Sequence, residues 1–458
     1  MGTRVKDDLF VVMARRFAYV GLVFLPLLHY RAGTALDLSD LFFVVAAGFL
    51  ILSRRPPAKA PPAPAWYVGS FVWILAGVVA SSQAVSESGS LQVVLNAVFV
   101  FFVLQWTLRQ LLDSTARIVT GMTSFIVGAT ASAFVAFLQT EFHVLTYNHQ
   151  ASLEGARAVG LSSQPDLAAA SFALALVFAV GLAVEFGLRR RWYLGVCIAL
   201  LAGALIFSGS VAGMACTLLG CFVLFVTRGF RLRTILGIIA ALAVVYVVAT
   251  SLQSSGTHFD LNPIARIEQT TGNNTGYNTV NPRVATIEHS WSGIVQSPII
   301  GHGLDQGTID VYFDPSVGAY YPAHNFIILS WFSGGIFMVA AAALMIGSSL
   351  NRLLSGRRRR PKNRDRAVRD TVLAGCVVVL FFSMQSPESV DRWLWLPFML
   401  ALCFRDGSVA SPPGVPAAEA EVEEAAPDRP RFDPVMPRRV VGTVGVRSAH
   451  THPPPEAS

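Results

Sequence analysis

Three side chains in this chain have the types that move protons or hold phosphate, His324, Arg283 and Arg157, and each stands where a polar stretch meets an apolar block. His324 sits in Ala323-His324-Asn325, after Pro322 and directly before a strongly apolar run. An imidazole at the mouth of a helix feels the helix dipole, which disfavours its charged form and leaves a base near neutral pH. A bound pyrophosphate would push the other way. A plainer reading stands beside this one, in which His324 and Asn325 only cap a helix at a membrane interface.

Arg283 follows Asn281-Pro282, which has the form of a helix start, and Val284, Ile287, Trp291, Ile294 and Val295 then recur at helical spacing until Ser297-Pro298, Gly301 and Gly303 end the pattern. Such an amphipathic helix is expected in the membrane interface with its apolar stripe toward lipid. An arginine in its first turn adds a guanidinium to free amides, a combination suited to phosphate. It also suits simple snorkelling to lipid headgroups. Arg157-Ala158-Val159-Gly160, ahead of Gln164-Pro165-Asp166, places a second cation on the same face, where a solvated charge is the plain alternative. His289, His302 and His324 lack metal-ligand spacing, and the adjacent Glu288 and His289 point to different sides of a helix, so no metal and no cofactor is expected.

The elements that must position these residues are membrane helices. The chain has 458 residues, 53% hydrophobic and only 14% charged, against about 25% charged in a soluble domain. Its net charge of +7 does not imply nucleic acid, because the arginines cluster in short connections between apolar blocks. Apolar segments run over residues 17–30, 41–53, 66–82, 91–108, 118–140, 167–187, 192–207, 211–227, 234–251, 326–350, 371–384 and 393–404. The fold expected is all-α and polytopic, with about twelve spans, some shorter than the roughly 20 residues of a perpendicular crossing. Alternate connections are basic: Arg4 with Arg15 and Arg16, Arg54 with Arg55 and Lys59, Arg109 with Arg117, Arg189 to Arg191, Arg228 with Arg231 and Arg233, and Arg357 to Arg360. These belong in the cytoplasm together with both termini, and one large extracytoplasmic loop over residues 253–322 carries short amphipathic helices. The five cysteines lie inside apolar blocks and read as small hydrophobes. The N-terminal apolar stretch has no small-residue cleavage site after Tyr30 and is expected to remain as the first span. Residues 1–406 form the membrane domain, and the Pro-, Ala- and Glu-rich residues 407–458 are expected to be a disordered cytoplasmic tail.

Three local patterns resemble the O-antigen ligase and polymerase superfamily of bacterial membrane glycosyltransferases. Arg157-x-x-Gly160 with Gln164-Pro165-Asp166 is similar to its Arg-x-x-Gly and polar-Pro-polar helix start. Arg283 with Trp291 and Pro298-Ile299-Ile300-Gly301-His302-Gly303 is similar to its Arg, Trp and Pro-hydrophobic-Gly-x-Gly stretch, and Ala323-His324-Asn325 with Leu329 and Gly334-Gly335 to its His-Asn signature. The resemblance implies a polyprenyl-diphosphate-linked glycan donor and a hydroxyl acceptor at the outer face of the cytoplasmic (inner) membrane. It implies Arg157 and Arg283 as diphosphate ligands, His324 as the base, and Asn325 as a residue that fixes the ring or caps the helix. Where the family usually has Ser-Arg-Gly, this chain has Ser208-Gly209-Ser210-Val211-Ala212-Gly213, with Val211 in place of the arginine, so the resemblance implies that a usual phosphate contact is either absent or supplied by Arg266 or Arg392.

Two other classes are carried forward. A transporter of a lipid-linked glycan or small anion usually needs ionisable groups or broken helices at mid-membrane, and here the charges within apolar blocks are few apart from Glu185. A peptidoglycan-type polymerase would place a catalytic aspartate in the loop, which makes Asp305, Asp310 and Asp314 its candidates.

Overall fold

The computed structural model describes residues 9–27, 37–53, 63–142, 144, 157–189, 191–228, 280–314, 319–355, 363–387 and 390–404. The expected span over 234–251, the first part of the loop over 253–279, Arg266, the Arg357 to Arg360 run and the tail from residue 407 lie outside these residues. Along the chain come α1 (Leu9–Phe24), α2 (Leu38–Leu52), α3 (Pro64–Ser81), α4 (Glu87–Leu111), α5 (Thr115–Phe142), α6 (Pro165–Phe186), α7 (Trp192–Phe207) and α8 (Val211–Arg228). After residue 279 come α9 (Val280–Gln296), a hairpin of β1 (Tyr312–Asp314) and β2 (Ala319–Tyr321), then α10 (Phe326–Leu354), α11 (Arg364–Ser383) and α12 (Arg392–Cys403).

Among the described residues six helices, α3, α4, α5, α6, α8 and α10, are long and apolar enough to cross a membrane, with α2, α7 and α12 shorter and apolar. The most apolar of the six, α6, is apolar on every side and 94% of its span is enclosed by neighbours, as expected for a helix with no polar face to show. It packs against α5, α7, α8 and α11, while α3 lies along α10 so closely that a Cβ on Gly69 would come within 2.9 Å of the Ala341 carbonyl.

Two helix starts and one loop differ from the hydropathy reading. Helix α1 starts at Leu9 rather than Phe17, because Ala14, Ala18, Gly21 and Leu22 form a buried stripe at helical spacing and leave Arg15 and Arg16 on the flanks. A pair of arginines does not end a helix that can turn them aside. Helix α4 begins within the expected connection, at Glu87, where Ser86 caps it by accepting from the Gly89 amide, and it widens into a π-helix over Phe99–Leu104. The loop after α9 also contains strands, which an all-α reading does not include: Tyr312 pairs with Tyr321 and Phe313 with Tyr320.

Contacts sort the helix ends into two faces. At one face Arg392 at the start of α12 binds Asp37 and Asp40 at the start of α2, and Asn325 before α10 meets Met384 after α11. Arg157 before α6 meets Ser208 after α7, and Asp305 meets Ser86 before α4. At the opposite face Thr115 bonds Asp365, and Arg228 bonds the Gly181 carbonyl. There too Arg369 bonds the Arg352 carbonyl and lies over Phe404, while Arg191 and Arg364 both lie over Phe186. Beyond the two in α1, the described arginines outside the first face, Arg109, Arg117, Arg189, Arg191, Arg228, Arg352, Arg364, Arg366 and Arg369, all belong to the opposite one. The first face holds only Arg157, Arg283 and Arg392 among the described residues.

Candidate functional site

Arg157 is held by a turn with little freedom. Gly160 has φ +61°, and a Cβ there would come within 2.6 Å of the Ser132 carbonyl of α5, so the close approach requires glycine. Gln139 clamps the same turn from α5, accepting from the Val159 and Gly160 amides and donating to the Gly160 carbonyl. The Arg157 guanidinium then donates to the Ser208 carbonyl at 2.8 Å and to Asp166 in the first turn of α6 at 2.7 Å. The Ser210 hydroxyl also bonds Asp166, which ties α6 to the turn before α8.

Helix α9 carries Arg283 and sits against the body by its small, polar side. Thr286, Ser290 and Gly293 are buried, whereas Val284, Ile287, Trp291 and Val295 are between 37% and 66% exposed. Of the expected apolar stripe only Ile294 turns inward. Beyond α9 the Pro298 to Gly303 segment docks into a break in α10, where Gly334 and Gly335 leave helical geometry. The His302 and Gly303 amides donate to the Phe332 and Ser333 carbonyls, and the Pro298 carbonyl accepts from the Ile336 amide and the Trp331 indole. Gly335 has φ +67° and any Cβ would fall 1.8 Å from the Ile299 carbonyl. The glycine pair therefore lets one backbone enter another, and the groups freed by the break find partners at once.

His324 lies one residue before the helix cap. Its Nδ1 is 2.9 Å from the Pro322 carbonyl, and since a carbonyl only accepts, Nδ1 carries the proton and Nε2 presents the lone pair. Asn325 is the N-cap of α10: its amide oxygen accepts from the Ile327 and Ile328 amides, and its nitrogen donates toward the Met384 carbonyl. Burial and the Arg283 cation hold the imidazole below its ordinary value, against the opposing pull of the Pro322 bond and the Asp166 carboxylate.

Arg283 and Asp166 both act on the His324 charge, and Arg157 and Arg283 both act on Asp166. Asp166 thus lies within electrostatic reach of Arg157, Arg283 and His324, which come from segments far apart along the chain. Arg283 makes no side-chain hydrogen bond or ion pair among the described residues, unlike Arg157.

The model of the O-antigen ligase family matches residues 196–343. That match supports the O-antigen ligase superfamily. The match runs from α7 to the middle of α10 and takes in Arg283, His324 and the Gly334-Gly335 break, while Arg157 lies upstream of it. No curated protein is similar enough to the chain to match. The family match and the apolar helices fit a membrane glycosyltransferase.

Against the superfamily's usual Ser-Arg-Gly, Val211 opens α8 and Ser210 bonds Asp166. Arg392 does not supply the absent cation. It is buried between Asp37 at 2.8 Å and Asp40 at 2.6 Å, a fully engaged guanidinium rather than a free one. Asp305 is likewise engaged, accepting from the Ser86 amide and the Thr308 hydroxyl and so pinning the loop to the α3–α4 hairpin. His302 stacks on Phe332 and bonds the Gly293 carbonyl, which makes it part of the α9–α10 joint. Asp166 is a residue beside the site to which the sequence alone assigns no role. The signal for one was its spacing of nine residues from Arg157, across a Gly and a Pro that turn the chain back.

Proposed function

We propose that the protein transfers or polymerises a polyprenyl-diphosphate-linked oligosaccharide onto a hydroxyl acceptor at the outer face of the bacterial cytoplasmic membrane. The observation that carries this reading is a cation, Arg283, with no side-chain partner among the described residues, within electrostatic reach of the Arg157–Asp166 pair and of a histidine whose Nε2 likewise has no partner among them. The sidedness supports it as well: the arginine-rich face is cytoplasmic by the positive-inside rule, which turns Arg157, Arg283 and His324 outward.

In the reaction the acceptor hydroxyl gives its proton to His324 Nε2 as its oxygen attacks the anomeric carbon. The bond from that carbon to the diphosphate breaks, and its electron pair leaves on the prenyl diphosphate. Negative charge thus gathers on the leaving group, where Arg283 and Arg157 stabilise it. General base catalysis of this kind contributes roughly 100 to 10,000-fold. Asn325 orients the base by capping α10 beside it. Because guanidinium groups do the electrostatic work, no metal enters the scheme, and transfer that ceased with EDTA and returned with one divalent ion would refute this part.

The test is His324→Ala in cells. The variant should insert and be expressed while surface glycan is lost; normal glycan length and attachment would refute the catalytic role. In a deletion strain, shortened chains identify a polymerase, and full-length chains left on the lipid carrier identify a ligase.

The transport alternative has one observation in its favour, the broken helix α10, since transporters bind substrates at such breaks. Here the break is occupied by the Pro298 to Gly303 segment, whose His302 and Gly303 amides donate to the Phe332 and Ser333 carbonyls. Flipping or uptake in proteoliposomes that survives loss of both Arg283 and His324 would reinstate it.

A further inference from the structure

A file of aromatic rings leads from α9 across the hairpin to the base. His289 of α9 lies 5.5 Å from Tyr312 of β1, Tyr312 is the cross-strand partner of Tyr321 of β2, and Tyr321 lies 6.2 Å from His324. Directly opposed residues of an antiparallel pair share a face, so Tyr312 and Tyr321 belong to one side of the hairpin and Phe313 and Tyr320 to the other. The side with the two tyrosines is turned toward the body: both are half-buried, whereas Tyr320 on the other side is 62% exposed.

Resting on the transferase reading above, we infer that this file is a binding subsite for the acceptor glycan, whose sugar rings stack along it and bring a hydroxyl to His324. The C–H edges of a pyranose carry partial positive charge and meet the negative face of an aromatic ring, so such a surface holds saccharides without fixing one hydrogen-bond pattern. Its position decides between acceptor and donor. The file ends at the group that takes the acceptor's proton, while the donor's charged end belongs with Arg157 and Arg283. The file is also longer than one sugar, since its rings span α9, both strands and the segment before α10. Phospholipid tails are the other candidate occupant, but the rings lie on the hairpin side that faces the polar site, and the exposed apolar stripe of α9 is a separate surface.

The probe is the lipid-free oligosaccharide released by mild acid from the producing cell's own surface polysaccharide, titrated into the full-length protein in nanodiscs. Tyr312→Leu and Tyr321→Leu should each weaken binding about tenfold, as expected for losing a stacking ring. Tyr312→Phe and Tyr321→Phe keep the ring and should bind as the wild type does, and Arg283→Gln should leave binding of this uncharged-end probe unchanged. Equal binding by the doubly leucine-substituted protein, loss of binding in the phenylalanine variants, or no binding by the wild type would each overturn the subsite. A photoreactive Tyr312→benzoylphenylalanine protein in cells should capture glycan-bearing material; capture of phospholipid alone also overturns it. The two readings fail separately. Binding along the file without any transfer would sink the transferase and spare the subsite, and unimpaired transfer after removal of both rings would do the reverse.

Discussion

Arg392 and Arg283 lie at the same face of the helix bundle and differ in what surrounds them. Arg392 is enclosed by two carboxylates, one of them, Asp40, with no exposed side-chain surface at all. Arg283 has no side-chain partner among the described residues, and Arg157 stands between these extremes, paired with Asp166, whose side chain is 41% exposed. The gradient separates structure from chemistry. A guanidinium already neutralised in a dry site locks helices together, and one left free beside a base is available to an incoming anion.

The sharpest way to test that contrast is to remove each charge in turn. His324→Ala sets the scale, with transfer expected to fall by roughly 100 to 10,000-fold while the protein remains folded in nanodiscs. Arg283→Gln should lower turnover on the order of 100-fold with little change in thermal unfolding, as for loss of one preorganised group at a developing charge. Arg392→Gln should do the opposite, lowering stability by about 3 kcal/mol because Asp40 is left buried without its cation, while transfer per folded molecule persists. If both variants lost activity and stability alike, the division between locking and catalytic arginines would be wrong.

Two smaller effects refine the picture. Gly335→Ala places a Cβ against the Ile299 carbonyl in a left-handed backbone and should cost about 2 kcal/mol, read as a lower melting temperature, with Gly347→Ala, where the space is open, as the control. The pH dependence gives the smallest and most specific signal. Because burial and Arg283 depress the His324 value, the neutral base should persist below about pH 6.5, and the acid limb of the rate profile should lie under that of an ordinary histidine. Arg283→Gln should move the limb upward, whereas Asp166→Asn, which removes a carboxylate that favours the charged ring, should move it downward. Movement of both in one direction would contradict the arrangement of charges around the ring.

The helical character and the helix that carries Arg283 are legible in the sequence. Each depends on interactions repeated along one segment: apolar periodicity, Asn and Pro at a helix start. The hairpin was not read, although Val311-Tyr312-Phe313 and Tyr320-Tyr321 are strand formers flanking Pro315 and Gly318. In a chain dominated by membrane helices, five such residues are easily taken as loop. The widened turn in α4 has no local signal at all, and hydropathy places the start of α1 too late because it registers a charge without its direction.

The site shows the same division. His324, Arg283 and Arg157 could be named from residue type and placement, because a base or cation at a helix mouth is a local fact. Which arginine is free and which is bound could not, since Arg392 meets Asp37 and Asp40 from more than 350 positions away along the chain. The role of Gly334 and Gly335 was equally hidden, for a backbone that accepts another backbone is defined only by the segment that enters it. Local composition decided the membrane character, the helices and the chemical groups on offer. Only the folded chain decided their pairing, because a charge acts through its nearest neighbours in space and those neighbours come from distant parts of the polypeptide.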